Sequence, residues 1–186
     1  MDWKRVLSVK RLKTTGHYQD KLPDDLRNEF DSDQGRVIFS PAIRRMHDKT
    51  QVFPLNTDDH VHTRLTHTLE VASIARAFGV QICKDNDFAK RTNINEQDLL
   101  LIIPTLLSTI SLCHDIGNPP FGHYGETAIS NYFDSLFSRE EFRATISLDN
   151  KEKLDFTNFN GNPQGFRILS SLQVMQDPNG LNLTVA

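Results

Sequence analysis

The most constraining feature of this chain is an apolar run, Leu99 to Leu112, that ends almost directly on a cluster of ionisable side chains. His114 and Asp115 stand side by side. A bend rich in glycine and proline follows (Gly117-Asn118-Pro119-Pro120-Phe121-Gly122), and His123 and Glu126 close the stretch. Four groups able to bind a metal or move a proton thus lie within 13 consecutive residues. A helix that is apolar all round must be buried on several sides. Packing alone gives no reason to place such a cluster at its end.

Chemistry gives one. Adjacent helical side chains point about 100° apart, so His114 and Asp115 converge on one ion only at a helix end, with a second helix supplying further ligands. His123 and Glu126 are spaced i, i+3 and share one face of the helix that begins near Gly122. A carboxylate beside a histidine holds the ring's tautomer and raises its basicity, which suits proton transfer at a phosphate ester.

Helical spacing recurs along the chain. Residues 1–13 alternate apolar (Trp3, Val6, Leu7, Leu12) with basic side chains, which fits a short amphipathic helix. That helix is either an arm for phosphate or single-stranded DNA, through Lys10, Arg11 and Lys13, or a docked terminal helix with a solvated basic face. Residues 14–35 read as a broken polar connection, so the expected division is 1–35 arm and linker, 36–186 helical domain. Ser40-Pro41 is a helix start, with Ser as cap and Pro in the first turn. The spacing of His67, Val71, Ile74, Phe78 and Ile82 predicts a helix to about Lys84 with these residues on its inward stripe. His67 is then either a hydrogen-bonded core residue or a ligand, and His60-Val61-His62 is a competing metal pair. Residues 85–98 and 138–158 read as polar, irregular segments. A helix is expected from Gly122 to Phe137 with Ile129, Tyr132, Phe133 and Leu136 inward. Another is capped by Asn162 ahead of Pro163, with Phe166, Leu169, Leu172 and Met175 inward, and is stopped by Asp177 to Gly180. There is no βαβ alternation, no internal repeat, no P-loop and no G-x-G-x-x-G. The fold class is all-α.

Net charge is −3, which gives no case for nucleic acid or an anionic membrane as the main partner. The two cysteines, Cys83 and Cys113, fall in apolar helical runs and read as core residues of a reducing compartment. The N-terminus lacks a signal-peptide apolar region, and the run from Leu99 is short of a membrane span. A cytoplasmic protein is expected.

Four segments, taken together and in this order, resemble the HD-domain phosphohydrolases, specifically the deoxynucleoside triphosphate triphosphohydrolases of the dGTPase type. They are Lys49-Thr50-Gln51-Val52-Phe53-Pro54, Thr63-Arg64-Leu65-Thr66-His67, the His114 to Glu126 cluster, and Gly161-Asn162 with Gln164, Phe166 and Arg167. The resemblance runs from about Arg36 to the last residue. It implies an HD helical bundle, incomplete at the C-terminus, since the family's fourth ligand, an Asp, lies beyond the equivalent of Ala186. It also implies His67, His114 and Asp115 as ligands of Mn²⁺ or Mg²⁺, and His123 with Glu126 as the catalytic pair. Arg64 would contact phosphate, Gln51 and Val52 the deoxyribose, and Asn162 the substrate. The implied reaction is hydrolysis of a dNTP, dGTP favoured, at the α-phosphorus to deoxynucleoside and triphosphate, by a homo-oligomer in the full-length family form. Asn118 stands where many HD hydrolases carry a His. Two alternatives remain: an HD enzyme acting on another phosphate ester, and an inactive remnant serving as a regulatory or single-stranded nucleic-acid-binding subunit.

Overall fold

The computed structural model describes residues 2–11, 26–52, 58, 60–145, 147–172 and 180–186. Among these the secondary structure is helical, with two isolated β-bridges and no strand. The helices are α1 (Trp3–Val6), α2 (Glu29–Ile38), α3 (Pro41–Arg45) with a 3₁₀ turn (Met46–Asp48), α4 (Arg64–Cys83), α5 (Asn86–Thr92), α6 (Glu96–Cys113), α7 (His123–Phe137), α8 (Glu140–Thr145), α9 (Asn150–Thr157) and α10 (Gly161–Arg167), the last running into a π-helical turn (Ile168–Leu172).

The central pair is α4 against α6, with α2 packed on α6. Thr63 closes the start of α4 with a capping box: its hydroxyl accepts from the Thr66 N–H, and the Thr66 side chain accepts from the Thr63 N–H. The inward face of α4 differs from the expected stripe. Arg64, Thr68, Ala72, Gly79 and Cys83 are buried, whereas Ile74, Phe78 and Ile82 are exposed. The cause is the closeness of the two helices: a Cβ at Gly79 would lie 2.6 Å from the Cα of Pro104 in α6. Only small side chains fit between backbones so near, and the bulky ones turn outward.

Pro104 interrupts the hydrogen bonding of α6 but not its course. The whole helix, 18 residues from Glu96 to Cys113, is longer than the apolar run from Leu99 and is long and apolar enough to cross a membrane by length and composition alone. It nevertheless packs against both neighbours with Thr105, Ser108 and Thr109 buried, as a core helix does. One apolar cluster (Val37, Ala42, Ile43, Met46, Ala72, Leu112, Ile116, Leu181) lies beneath the His114-Asp115 end of α6. A second (Cys83, Phe88, Leu99, Ile103) fills the far end, where Trp3 and Leu7 dock, Trp3 edge-on to Phe88 at 5.1 Å.

Several boundaries shift from expectation. Helix α2 crosses the expected division between residues 35 and 36; Asn28 and Asp31 form its capping box, and Phe30, Asp33 and Val37 are buried. The segments expected to be irregular carry α5, α8 and α9, the last closed by an Asp149–Glu152 capping box. Helix α7 begins where expected, but Tyr132 is exposed. The cap of α10 is Asn160, whose side chain accepts from the Asn162 N–H, so Asn162 lies inside the first turn. Phe166 and Leu172 point outward. Leu12, Lys13, Phe53, Pro54, Met175 and 177–179 lie outside the described residues.

Arg11 is buried. It donates to Asp33 Oδ1 (2.6 Å), to Glu29 Oε2 (2.5 Å) and to the Asn182 carbonyl (2.7 Å), while Asp33 Oδ2 accepts from the Thr184 N–H and hydroxyl. Of the three cations expected on a nucleic-acid arm, this one serves instead to clasp the N-terminal segment to residues 182–184.

Candidate metal centre

Helix α6 ends at Cys113, and His114 is its C-cap. The His114 Nδ1 lies 2.6 Å from the Ser111 carbonyl. A carbonyl only accepts, so Nδ1 carries a proton, and in the neutral ring Nε2 keeps its lone pair, the tautomer a metal needs. Nε2 sits 3.6 Å from Asp115 Oδ1. From α4, one turn inside the helix, the His67 ring meets the His114 ring edge-on at 5.4 Å between centroids.

One donor atom from each of His67, His114 and Asp115 falls in a group no more than 4.8 Å across. Ligands on an ion with bonds of about 2.1 Å stand about 3.0 Å apart when adjacent and about 4.2 Å apart when opposed. Side-chain rotation alone, without movement of either helix, therefore lets two nitrogens and one carboxylate oxygen close on a divalent cation. The donor chemistry suits such an ion. The sequence brings these three residues to one place, and among the described residues they are the group that can do this. His60 and His62 do not join them; His62 faces Glu70 at 3.6 Å on the surface.

The other half of the cluster is joined through Arg64. This buried side chain donates from one terminal nitrogen to Asp115 Oδ2 (2.7 Å). The other terminal nitrogen abuts Gly122, where a Cβ would approach it to 2.8 Å. Gly122 has φ +54°, a conformation that favours glycine, and its turn launches α7 with His123 first. His123 Nδ1 lies 2.8 Å from Glu126 Oε2, and Glu126 Oε1 accepts from the Gly161 N–H (2.7 Å). The His123 ring is 96% exposed and Glu126 only 13%. The His123 hydrogen bond, assisted by the Gly161 N–H and the Arg64 charge, holds the Glu126 carboxyl below its usual range against the opposing effect of burial.

Two neighbours were not singled out as site residues from the sequence. Lys49 donates from Nζ to the Asn118 carbonyl (2.8 Å), and burial together with the Arg64 and Arg45 charges lowers its pKa. Asn118 donates from Nδ2 to Asp115 Oδ1 (2.7 Å). Lys49 had a signal, since it opens the motif containing Gln51; Asn118 had one in standing where many HD hydrolases carry a His. Of the substrate-side candidates, Gln51 bonds through its N–H to the His62 carbonyl and has a buried, unpartnered Oε1. Val52 and Asn162 are exposed. Arg64 is engaged with Asp115 and has a buried, unpartnered Nε.

An all-α bundle in which one helix presents a histidine to an adjacent His-Asp pair at the end of another defines a class, and this chain belongs to it: the HD domain family, whose model matches residues 64–161. Particular relatives are more specific. The chain is 41% identical over its full length to a deoxyguanosinetriphosphate triphosphohydrolase-like protein of Pseudomonas aeruginosa (strain LESB58), and 40% identical, also over its full length, to one of Listeria monocytogenes serovar 1/2a. In both cases it covers 40% of the relative. A deoxyguanosinetriphosphate triphosphohydrolase of Enterobacter sp. (strain 638) is 35% identical over 89% of this chain and 38% of its own length. The chain thus spans about 40% of the length of the curated relatives it matches.

Proposed function

We propose that this chain carries the metal-binding and proton-transfer residues of a phosphohydrolase that cleaves a dNTP, dGTP favoured, to deoxynucleoside and triphosphate. The observation that carries this reading is the convergence of His67, His114 and Asp115 beside the His123–Glu126 pair. The names of the relatives support the substrate class.

His67, His114 and Asp115 would hold the cation. Mn²⁺ or Mg²⁺, when bound, supplies Lewis acidity toward the α-phosphate and lowers the pKa of water. The remaining tasks fall to the chain's own side chains. His123, exposed and with Nδ1 held by Glu126, presents Nε2 outward and gives a proton to the departing 5′-oxygen. Glu126, depressed in pKa and fixed by Gly161, stays ionised and stabilises the imidazolium. Lys49 and Arg64 keep the local field positive for a triphosphate. Gln51 Oε1, buried and unpartnered, offers an acceptor to a sugar hydroxyl, with Val52 beside it; Asn162 at the exposed start of α10 completes the substrate side.

Product analysis tests the reading. The full chain with Mn²⁺ and dGTP should release triphosphate, lose activity on chelation, and lose it again with His123→Ala. Orthophosphate released from a nucleoside monophosphate would favour an enzyme for another phosphate ester, and turnover that survives both treatments would refute the assignment. A single-stranded DNA partner would have to use a face without Arg11. Homo-oligomerisation, to be read by light scattering, and a cytoplasmic setting, which suits the two free thiols, belong to the same proposal.

A further inference from the structure

We infer that Asn118 is a positioning residue for the metal ligand Asp115. The inference rests on the metal-centre reading above and goes beyond it. Asp115 presents two oxygens to three demands: Arg64, Asn118 and the space between the two histidines. Arg64 takes Oδ2 and the Asn118 amide takes Oδ1, each at 2.7 Å. An ionised carboxylate only accepts, so the group facing it is the amide NH₂ of Asn118 and not its oxygen. With one donor on each oxygen the carboxylate plane cannot rotate, and the remaining lone pair of Oδ1 stays on the side of His114 Nε2.

Asn118 is itself locked from three directions. Its N–H donates to the Asp115 carbonyl (3.2 Å), which closes the turn. Its own carbonyl accepts from Lys49 Nζ. Its side-chain oxygen lies against Gly161, so closely that a Cβ there would come within 2.0 Å of it. The last contact gives Asn118 a wider reach, because the same Gly161 N–H holds Glu126. One amide side chain therefore sets the ligand Asp115 on one side and rests on the residue that sets the catalytic pair on the other. A hydrogen bond to a metal-binding carboxylate orients it before the ion arrives, and loss of such a partner typically weakens binding 10–100-fold.

The test is Mn²⁺ titration of the full chain, with free Mn²⁺ read by electron paramagnetic resonance, alongside the thermal melt of the metal-free protein. Asn118→Leu preserves the branched shape against Gly161 and removes the donor; Asn118→Ala removes both, and serves if the first variant does not fold. Either folded variant should bind Mn²⁺ about 10–100-fold more weakly than wild type. The d–d spectrum of bound Co²⁺ should change as well, which a purely packing role would not produce. Wild-type affinity and an unchanged Co²⁺ spectrum in the variants would overturn the assignment to Asn118. His114→Ala separates the two levels: if wild type binds Mn²⁺ no better than His114→Ala, the metal centre itself falls, and Asn118 with it.

Discussion

Substituting Gly117 by Ala should unfasten the site, and the structure gives the size of the effect. A Cβ at Gly117 would lie 2.1 Å from the Gly165 nitrogen, 2.2 Å from the Gly161 carbonyl oxygen and 2.6 Å from the Gly165 Cα. All three are backbone atoms, so no rotamer change relieves them. Ordinary contact begins near 3.4 Å, and α10 would have to retreat by about 1.3 Å. The Gly161 N–H to Glu126 bond, now 2.7 Å, would then be out of reach. Forced overpacking costs about 1–3 kcal/mol, and loss of a hydrogen bond to a buried charged group about 1.5–3 kcal/mol. Together they remove about 2.5–6 kcal/mol, a drop in Tm of about 5–24 °C for a domain of this size. Gly35→Ala is the control. That glycine sits mid-way along α2 with nothing within 4 Å of an added Cβ, so alanine should stabilise by about 0.5–1 kcal/mol. Thermal and urea denaturation followed by far-UV circular dichroism measure both. A Gly117→Ala protein as stable as wild type would refute the docking of α10 on the bend.

Asp33→Ala should destabilise by about 3–5 kcal/mol in urea, because it leaves the buried Arg11 charge with only part of its compensation; a change below about 1 kcal/mol would mean the clasp is open in solution. Glu126 has a depressed carboxyl pKa in the folded chain, so its contribution is present above the usual unfolded value and is lost as pH falls through the folded one. Unfolding free energies between about pH 6 and pH 3 should therefore fall less steeply in Glu126→Gln than in wild type, and parallel curves would contradict the assignment. Burial pushes the Cys113 thiol up to about 12 and raises that of Cys83, so neither should react with a thiol reagent at pH 8 until the chain unfolds; stoichiometric labelling of the native protein would disprove this.

What the sequence made legible was what lies close together in it. His114, Asp115, His123 and Glu126 share one short stretch, and the tight bend between them is written in glycine and proline. His67 was reachable because it stands at the head of a long periodic helix. The inward face of α4 departs from its periodic stripe because periodicity marks the bulky residues, whereas a close helix crossing selects small ones; the Gly79–Pro104 approach depends on two segments 25 positions apart and has no local signature. Helices α2 and α9 were hidden by polar composition, although each carries a readable cap, Asn28 with Asp31 and Asp149 with Glu152. Lys49 and Asn118 stand inside legible motifs, but the contact of Lys49 with Asn118 and that of Asn118 with Gly161 join segments that only folding brings together.

His114 closes α6 and offers its free nitrogen to the candidate ion with one and the same ring. Fraying of that last turn would swing the imidazole away, and an occupied site would in turn hold the turn shut. Amide exchange at Leu112, Cys113 and His114 should thus report occupancy directly, slowing when Mn²⁺ is added while the far end of the helix, near Leu99, keeps its own pace.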